Sequence, residues 1–151
     1  MRVILDSSVV VALVNDQDAD HVRAVKVRDI ALTVDDQRLL PYEVLAETLN
    51  VLGRKLGRDY AASAARVLLS LHEDGEIRLI EPAPHIVRRA AEIQPTALGS
   101  PSFVDCLVMA YADEYGTPYI FGFDATFRKN GYVLPGEQPM PLSLFLIMLR
   151  F

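Results

Sequence analysis

Short apolar runs alternate along this chain with stretches in which apolar residues recur every three or four positions. The first run, residues 3–5, ends at Asp6 and is typical of a buried parallel strand with an acid at its carboxyl end. Ser7 or Ser8 is then a candidate N-cap for an apolar helix over residues 9–14. The chain is therefore predicted to open with a strand that leads directly into a helix.

The middle of the chain repeats this order of strand and helix. The spacing of apolar positions predicts helices over residues 18–32, 42–56, 59–73 and 86–93, and strands over residues 38–41 and 77–80. In the first of these helices, Val22, Val25 and Ile30 are expected to face the core. Gly57 is expected to end the second, because glycine readily takes the left-handed conformation common after a helix.

The last part of the pattern adds one more helix and one more strand. Ser102 follows a Gly-Ser-Pro turn and stands at the N-cap position of a helix predicted over residues 103–115. Residues 119–123 then form an apolar, aromatic strand that is followed by Asp124. Because strands and helices alternate throughout, we expect an α/β fold in which a mainly parallel sheet is covered by helices on both faces.

Length and composition fit one domain over residues 1–151. The chain has 151 residues, 51% of them hydrophobic, which is enough for one substantial core. The single cysteine, Cys106, is expected to be a buried apolar residue, and with no apparent secretory signal it favours a cytoplasmic location. An apolar extension begins at about residue 137, and its stretch 142–151 is shorter than the roughly 20 residues of a membrane-spanning helix. We therefore expect no membrane association and interpret this stretch as a packing or interface segment.

The net charge bears on the choice of partner. A charge of −5 and an isoelectric point of about 5.1 lack the basic footprint usual for nucleic-acid binding. Acidic side chains gathered around a cation nevertheless form a site that attracts phosphate, so net charge alone does not exclude a nucleic acid.

Acidic residues stand at the positions where parallel sheets bind ligands. Asp6 and Asp124 follow strands, Asp105 begins a helix, and Glu47 lies one helical turn after Glu43. Each also has an ordinary interpretation, as a helix cap for the aspartates and as a solvated helix charge for the glutamates. If they converge, their oxygen atoms suit Mg²⁺ or Mn²⁺ better than zinc, and a metal-assisted phosphodiester hydrolysis follows.

Four segments together resemble the motifs of the PIN-domain family, and particularly the VapC-type toxins of prokaryotic toxin–antitoxin pairs. They are VILDSSVVVAL at 3–13, LPYEVLAETLNVL at 40–52, PSFVDCLVMAYA at 101–112 and FGFDATF at 121–127. The motifs occur in the family's order, and the likeness spans residues 1 to about 133. The extension beyond Gly136 lies outside it.

The resemblance implies an α/β/α sandwich and an Mg²⁺- or Mn²⁺-dependent endoribonuclease. It also implies RNA as substrate, a cognate antitoxin as partner and a homodimer as assembly. The metal and catalytic residues that it implies are Asp6, Glu47, Asp105 and Asp124. Glu43 becomes an accessory acid. Ser8 falls where the family carries a hydroxyl that orients the first acid, although its interpretation as a helix cap is equally open.

Two points of the resemblance leave alternatives open. Gly122 stands where the family more often carries a β-branched or polar residue, and we expect this difference not to touch the acids. A non-catalytic PIN-like interaction module would share the fold without the cleavage. DNA also remains a possible substrate, because phosphodiester chemistry alone does not distinguish the two nucleic acids.

Overall fold

The apolar runs of the sequence form a parallel sheet. In the computed structural model, which describes residues 1–136, the strands are β1 (Arg2–Leu5), β2 (Gln37–Pro41), β3 (Arg78–Ile80) and β4 (Ile120–Phe121). They lie in the order β3-β2-β1-β4, and every pair is parallel. Helices flank this sheet, so the predicted α/β fold is confirmed.

The helices before residue 120 lie close to the positions that the apolar spacing predicted, and one short helix after it was not predicted. Those within residues 1–136 are α1 (Ser7–Val14), α2 (His21–Ala31), α3 (Tyr42–Leu56), α4 (Arg58–Glu73), α5 (Pro84–Ile93), α6 (Phe103–Glu114) and α7 (Ala125–Lys129). Gly57 ends α3 with a φ of 92°, as expected for a glycine after a helix. Cys106 is fully buried, which confirms its interpretation as a core residue.

Helix α2 does not have the inward face that its spacing predicted. Ala24 is its one buried residue, whereas Val22 and Ile30 are 77% and 72% exposed and Val25 is half-buried. The helix packs against α1, and a contact made through a small alanine leaves the larger apolar side chains outside it. A spacing of three and four identifies an apolar face but not the surface that covers it.

The strand order determines where a ligand binds. From β1 the chain proceeds outward to β2 and β3, and it then returns to place β4 on the other side of β1. In open parallel sheets, ligands bind outside the carboxyl ends of the strands at such a reversal. A ligand site is therefore expected at the carboxyl ends of β1 and β4.

Two further expectations concern membrane-spanning helices and the apolar extension. Within residues 1–136, each helix is too short or too polar to cross a lipid bilayer. The predicted apolar extension from about residue 137 lies outside the described residues. That residues 1–151 form one domain stays a prediction.

Candidate functional site

Asp6 lies at the carboxyl end of β1 and is 4% exposed. Its Oδ2 accepts a hydrogen bond from the Ser8 hydroxyl at 2.6 Å and a second from the Ser8 backbone N–H at 3.3 Å. Asp6 is therefore the N-cap of α1, and the expectation that Ser7 or Ser8 caps this helix is wrong. Strand β1 ends at Leu5 and helix α1 begins at Ser7, so the residue between them, Asp6, takes the capping position.

The other carboxyl oxygen of Asp6 has no partner. Its Oδ1 is buried without a hydrogen bond, and in the described part of the chain the hydroxyl of Thr48 is the other such side-chain atom. Buried polar atoms are nearly always hydrogen-bonded in folded proteins, so an orphaned carboxylate oxygen requires an explanation such as a ligand. One half of Asp6 is thus held by Ser8 and the other half is left for a cation or a proton.

The electrostatics of Asp6 show which other acids are near it. The pKa of Asp6 is raised from 3.8 to about 6, chiefly by burial and in part by the nearby charges of Asp105 and Glu47, while the hydrogen bonds from Ser8 oppose the rise. The three carboxyl groups come from β1, α3 and α6. Asp105 and Glu47, two of the other three predicted site residues, therefore lie near enough to Asp6 for their charges to act on it.

Asp105 is held in place by the start of its own helix. The Ser102 hydroxyl accepts from the Asp105 N–H at 3.1 Å, and Asp105 Oδ2 accepts from the Ser102 N–H at 2.9 Å. This reciprocal pair is a capping box, which confirms the prediction that Ser102 caps α6. The Asp105 side chain is consequently held at the start of α6.

Glu43 has a structural partner that the sequence did not indicate. The hydroxyl of Tyr111, on α6, donates to Glu43 Oε1 at 2.9 Å, and the same hydroxyl lies 3.1 Å from Oε2. Burial raises the pKa of Tyr111, and the bond to Glu43 raises it further. The contact joins α3, which carries Glu47, to α6, which carries Asp105. A tyrosine in a predicted core helix was the available signal, since a buried phenol needs a hydrogen-bond partner.

Asp124 has a different environment from the other three acids. It is exposed, and its Oδ1 accepts from the Thr126 N–H at 2.8 Å, which makes it the N-cap of α7. Asp124 follows the strand paired with β1, three residues after Phe121.

Gly122 lies directly against Asp6. A Cβ added to Gly122 would stand 2.9 Å from Asp6 Cβ and 3.1 Å from its Oδ2. The expectation that this glycine does not touch the acids is therefore wrong. The cause is the pairing of β1 with β4, in which the Asp6 N–H donates to the Phe121 carbonyl at 3.0 Å. A glycine within a strand pattern is the signal that marks such a close approach of two backbones.

Replacing Gly122 by alanine should displace Asp6. The new methyl group would overlap Asp6 Cβ, which is close to the backbone and cannot swing away, so we expect Gly122→Ala to lower the free energy of unfolding by about 1–3 kcal/mol. Gly53→Ala is the matched control, because a Cβ there meets Ala61 Cβ at an ordinary 3.7 Å. Within α3 this change should stabilise the protein by up to about 1 kcal/mol, because alanine has a higher helix propensity than glycine. Urea denaturation measures both, and equal effects would contradict the contact.

The chemistry of the donors fits a hard divalent cation. The orphaned Asp6 oxygen and the carboxylates of Asp105 and Glu47 are oxygen ligands, as Mg²⁺ and Mn²⁺ prefer. Across residues 1–136, however, no group of three or more His, Cys, Asp or Glu side chains is close enough to hold a metal ion. The predicted ligand set of Asp6, Glu47, Asp105 and Asp124 accordingly stays a prediction.

Comparisons with known proteins agree with this architecture. The family model described as PIN domain matches residues 3–131. Thirteen solved chains match. One is VapC20 of Mycobacterium tuberculosis, which is described as a toxin that cleaves the sarcin–ricin loop. It is 26% identical to this chain with a TM-score of 0.75, and the match covers 87% of this chain and 96% of VapC20. A second is a chain of VapBC2 from Rickettsia felis, bound to a DNA fragment from its promoter, which is 13% identical with a TM-score of 0.64. The match covers 89% of this chain and 97% of that one, and at this identity it shows the fold alone. No curated protein matches.

Proposed function

Because this chain belongs to the PIN domain family, we propose that it is a metal-dependent endoribonuclease that hydrolyses RNA phosphodiester bonds as the toxin of a VapBC-type pair. The observation that carries the proposal is the state of Asp6. It is buried, one of its oxygens has no partner, and two acids from distant segments stand near enough to raise its pKa. Such an arrangement destabilises a protein that has no use for it.

The residues that would hold the cation are Asp6, Glu47 and Asp105, and we include Asp124 as a fourth because it follows β4 beside β1. A bound Mg²⁺ or Mn²⁺ supplies Lewis acidity for the phosphate and for the hydrolytic water. The protein's own contribution is to hold these carboxyl groups in place against their mutual repulsion.

Ser8 orients the first acid. Its hydroxyl oxygen accepts from the Phe123 N–H at 3.1 Å, so its own hydrogen is available for Asp6 Oδ2 at 2.6 Å. This short relay links the backbone after β4 to the carboxylate after β1. It directs one oxygen of Asp6 away from ligation and leaves Oδ1 for the cation.

The contact between Tyr111 and Glu43 has a complementary role. It ties α3, which carries Glu47, to α6, which carries Asp105. A site assembled on packed helices holds its geometry better than one assembled on loops.

The substrate and the partner of the proposal are drawn from the related structures. VapC20 is described as a toxin that cleaves the sarcin–ricin loop, which supports RNA as the substrate class. The four sequence motifs that resemble VapC-type toxins support a cognate antitoxin for this chain, and the likeness in fold to a chain of VapBC2 agrees with it. A homodimer completes the proposal as its expected assembly.

The decisive experiment identifies the RNA and then removes the metal. RNA ends should be sequenced after controlled expression of the wild-type chain, and new ends should appear at defined positions. An RNA that contains such a position is then incubated with purified protein in Mn²⁺ or in EDTA. We expect cleavage at the same bond, complete loss in EDTA and recovery on adding Mn²⁺. Cleavage that persists in EDTA would overturn the metal dependence, and cleavage of matched DNA at the same rate would overturn the choice of RNA.

A second candidate function is a binding module without cleavage. The observation that favours it is that the described acids are not arranged as a ready metal-binding group. The two candidates differ in titration calorimetry with Mn²⁺. The nuclease should take up the ion in a manner that depends on Asp6, whereas the binding module should show no such uptake.

A further inference from the structure

Asn130 follows α7 and holds a loop that is distant from it in the sequence. Its Oδ1 accepts a hydrogen bond from the Leu98 N–H at 2.9 Å, and its Nδ2 donates to the Leu98 carbonyl at 2.9 Å. Nδ2 also donates to the Thr126 carbonyl at 2.7 Å, one turn earlier. A carboxamide presents a donor and an acceptor side by side, so it can pair with both backbone groups of one residue. We call these three bonds the Asn130 clamp.

The bonds to Leu98 exceed what the end of a helix requires. The last carbonyl groups of a helix need hydrogen-bond donors. In α7 the Asn130 backbone N–H donates to three of these carbonyls, and the bond from Nδ2 to Thr126 adds a further donor. The two bonds to Leu98 instead join segments that are 32 positions apart. The Asn130 side chain therefore fixes the loop at Leu98 as well as the end of its own helix.

The clamped loop carries backbone strain. Gly99 and Ser100 both have left-handed backbones, with φ of 80° and 50°. This conformation is easy for glycine but costly for serine, and among residues 1–136 Ser100 is the one non-glycine residue with a positive φ. A Cβ on Gly99 would stand 3.1 Å from Thr126 Oγ1, so the loop lies against α7. A strained loop keeps its shape only where contacts outside it hold it, and the clamp supplies such contacts.

The loop leads directly into the helix that carries Asp105. Pro101 is buried, and Ser102 is the N-cap of α6. The capping box joins Ser102 to Asp105, so a movement of the loop is passed on to the Asp105 carboxylate. At the other end of the clamp lies α7, whose N-cap is Asp124. The clamp therefore links the two segments that carry Asp105 and Asp124.

We propose that Asn130 is a positioning residue of the nuclease. By clamping Leu98 it holds the start of α6, and with it the carboxylate of Asp105, at a fixed place relative to α7. The proposal rests on the proposed function, because it concerns a proposed ligand of the cation. Residues that hold metal ligands in place typically change metal affinity by about 10–100-fold when they are replaced. Asn130 acts through Asp105 and is not itself a ligand.

Four variants of the full-length chain test the clamp. Asn130→Ala removes its three bonds, and Asn130→Asp keeps the shape of the side chain but loses the donor. Ser100→Gly, combined with Asn130→Ala, removes the cost of the left-handed backbone, so the loop can keep its shape without the clamp. Asn15→Ala is the matched control, because Asn15 follows α1 as Asn130 follows α7, and its Oδ1 accepts from the Gln17 N–H at 3.1 Å.

The first measurement is the Mn²⁺ concentration that gives half-maximal cleavage of the identified RNA. We expect Asn130→Ala and Asn130→Asp to raise it at least about tenfold, while the rate at saturating Mn²⁺ changes by less than about threefold. Adding Ser100→Gly to Asn130→Ala should lower the required concentration again by at least about threefold. Asn15→Ala should stay within about twofold of wild type. A general loss of stability would not change the metal requirement alone.

The second measurement does not depend on activity. Hydrogen exchange of the Asp105 N–H, followed by NMR in metal-free buffer, reports opening of the capping box, and the N–H of the buried Ala112 in the same helix is the internal reference. We expect Asn130→Ala to speed exchange at Asp105 at least about tenfold relative to Ala112. The control Asn15→Ala should leave this ratio unchanged.

The two measurements separate the possible failures. An unchanged exchange ratio in Asn130→Ala would overturn the clamp, whether or not the chain cleaves RNA. Faster exchange with an unchanged Mn²⁺ requirement would overturn the positioning role and leave the nuclease assignment intact. A wild-type chain without Mn²⁺-dependent cleavage would contradict the proposed function, and the positioning role would fall with it.

Discussion

Asp6→Asn and Asp105→Asn are each expected to reduce RNA cleavage by about 10³-fold or more while the protein stays folded. Each change removes a negative ligand from the proposed cation site but keeps the shape of the side chain. A bound metal contributes several kcal/mol to a phosphoryl-transfer transition state, and every 1.4 kcal/mol is about tenfold in rate. Single-turnover cleavage of the identified RNA, at saturating Mn²⁺, measures the effect.

The matched control for these two variants is Asp35→Asn. Asp35 is exposed in the turn before β2, so its substitution makes the same change in net charge away from the candidate site. We expect cleavage within about twofold of wild type for this control, since surface substitutions without special contacts have small effects. Wild-type turnover in either Asp6→Asn or Asp105→Asn would overturn the assignment of that acid.

In metal-free buffer, Asp6 alone should make the wild-type protein up to about 3 kcal/mol less stable at pH 7 than at pH 4. Its pKa is about 6 in the folded chain, against an ordinary 3.8, and each unit corresponds to about 1.4 kcal/mol. Between these values the folded state keeps a proton that the unfolded state has released. The contribution is therefore complete below pH 3.8 and is lost as the pH rises through about 6.

The comparison with Asp6→Asn isolates this contribution from that of the other acids. Asparagine has no proton to lose, so the variant should be more stable than wild type at pH 7 in EDTA, by an amount that shrinks toward pH 4. Urea denaturation across this pH range gives the difference directly. Adding Mn²⁺ at pH 7 should stabilise the wild type and leave the variant unchanged. A difference that does not vary with pH would contradict the raised pKa.

Several features could be predicted from the sequence because they depend on neighbouring residues. Helix α3 begins and ends where its spacing predicted, since Gly57 supplies the conformation that ends it. Ser102 and Asp105 form the expected helix start because both partners of a capping box lie within one turn. The parallel sheet follows from the alternation of strands and helices. These signals are local, and the structure confirms them.

Other features were missed because they depend on residues that are distant in the sequence. A side chain at position 122 would clash with Asp6 only because β4 pairs with β1. The partner of Glu43 is a tyrosine on another helix, 68 positions away. The outward face of α2 was mispredicted because apolar spacing does not say what covers a face. The convergence of Asp6 with Asp105 and Glu47 was proposed from the strand ends and the family motifs, not from local pattern.

The pairing of β1 with β4 also sets the order in which the candidate site can form. Ser8 and Phe123, whose hydrogen bond helps orient Asp6, are 115 positions apart. Strand β1 can therefore pair with β4 only after almost all of the described chain has been synthesised. Domains form as units once their sequence has left the ribosome, and distant contacts form late. A nascent chain that has not reached Phe123 therefore lacks the oriented carboxylate. Under the proposed function, a nascent chain that ends before Phe123 would not cleave RNA.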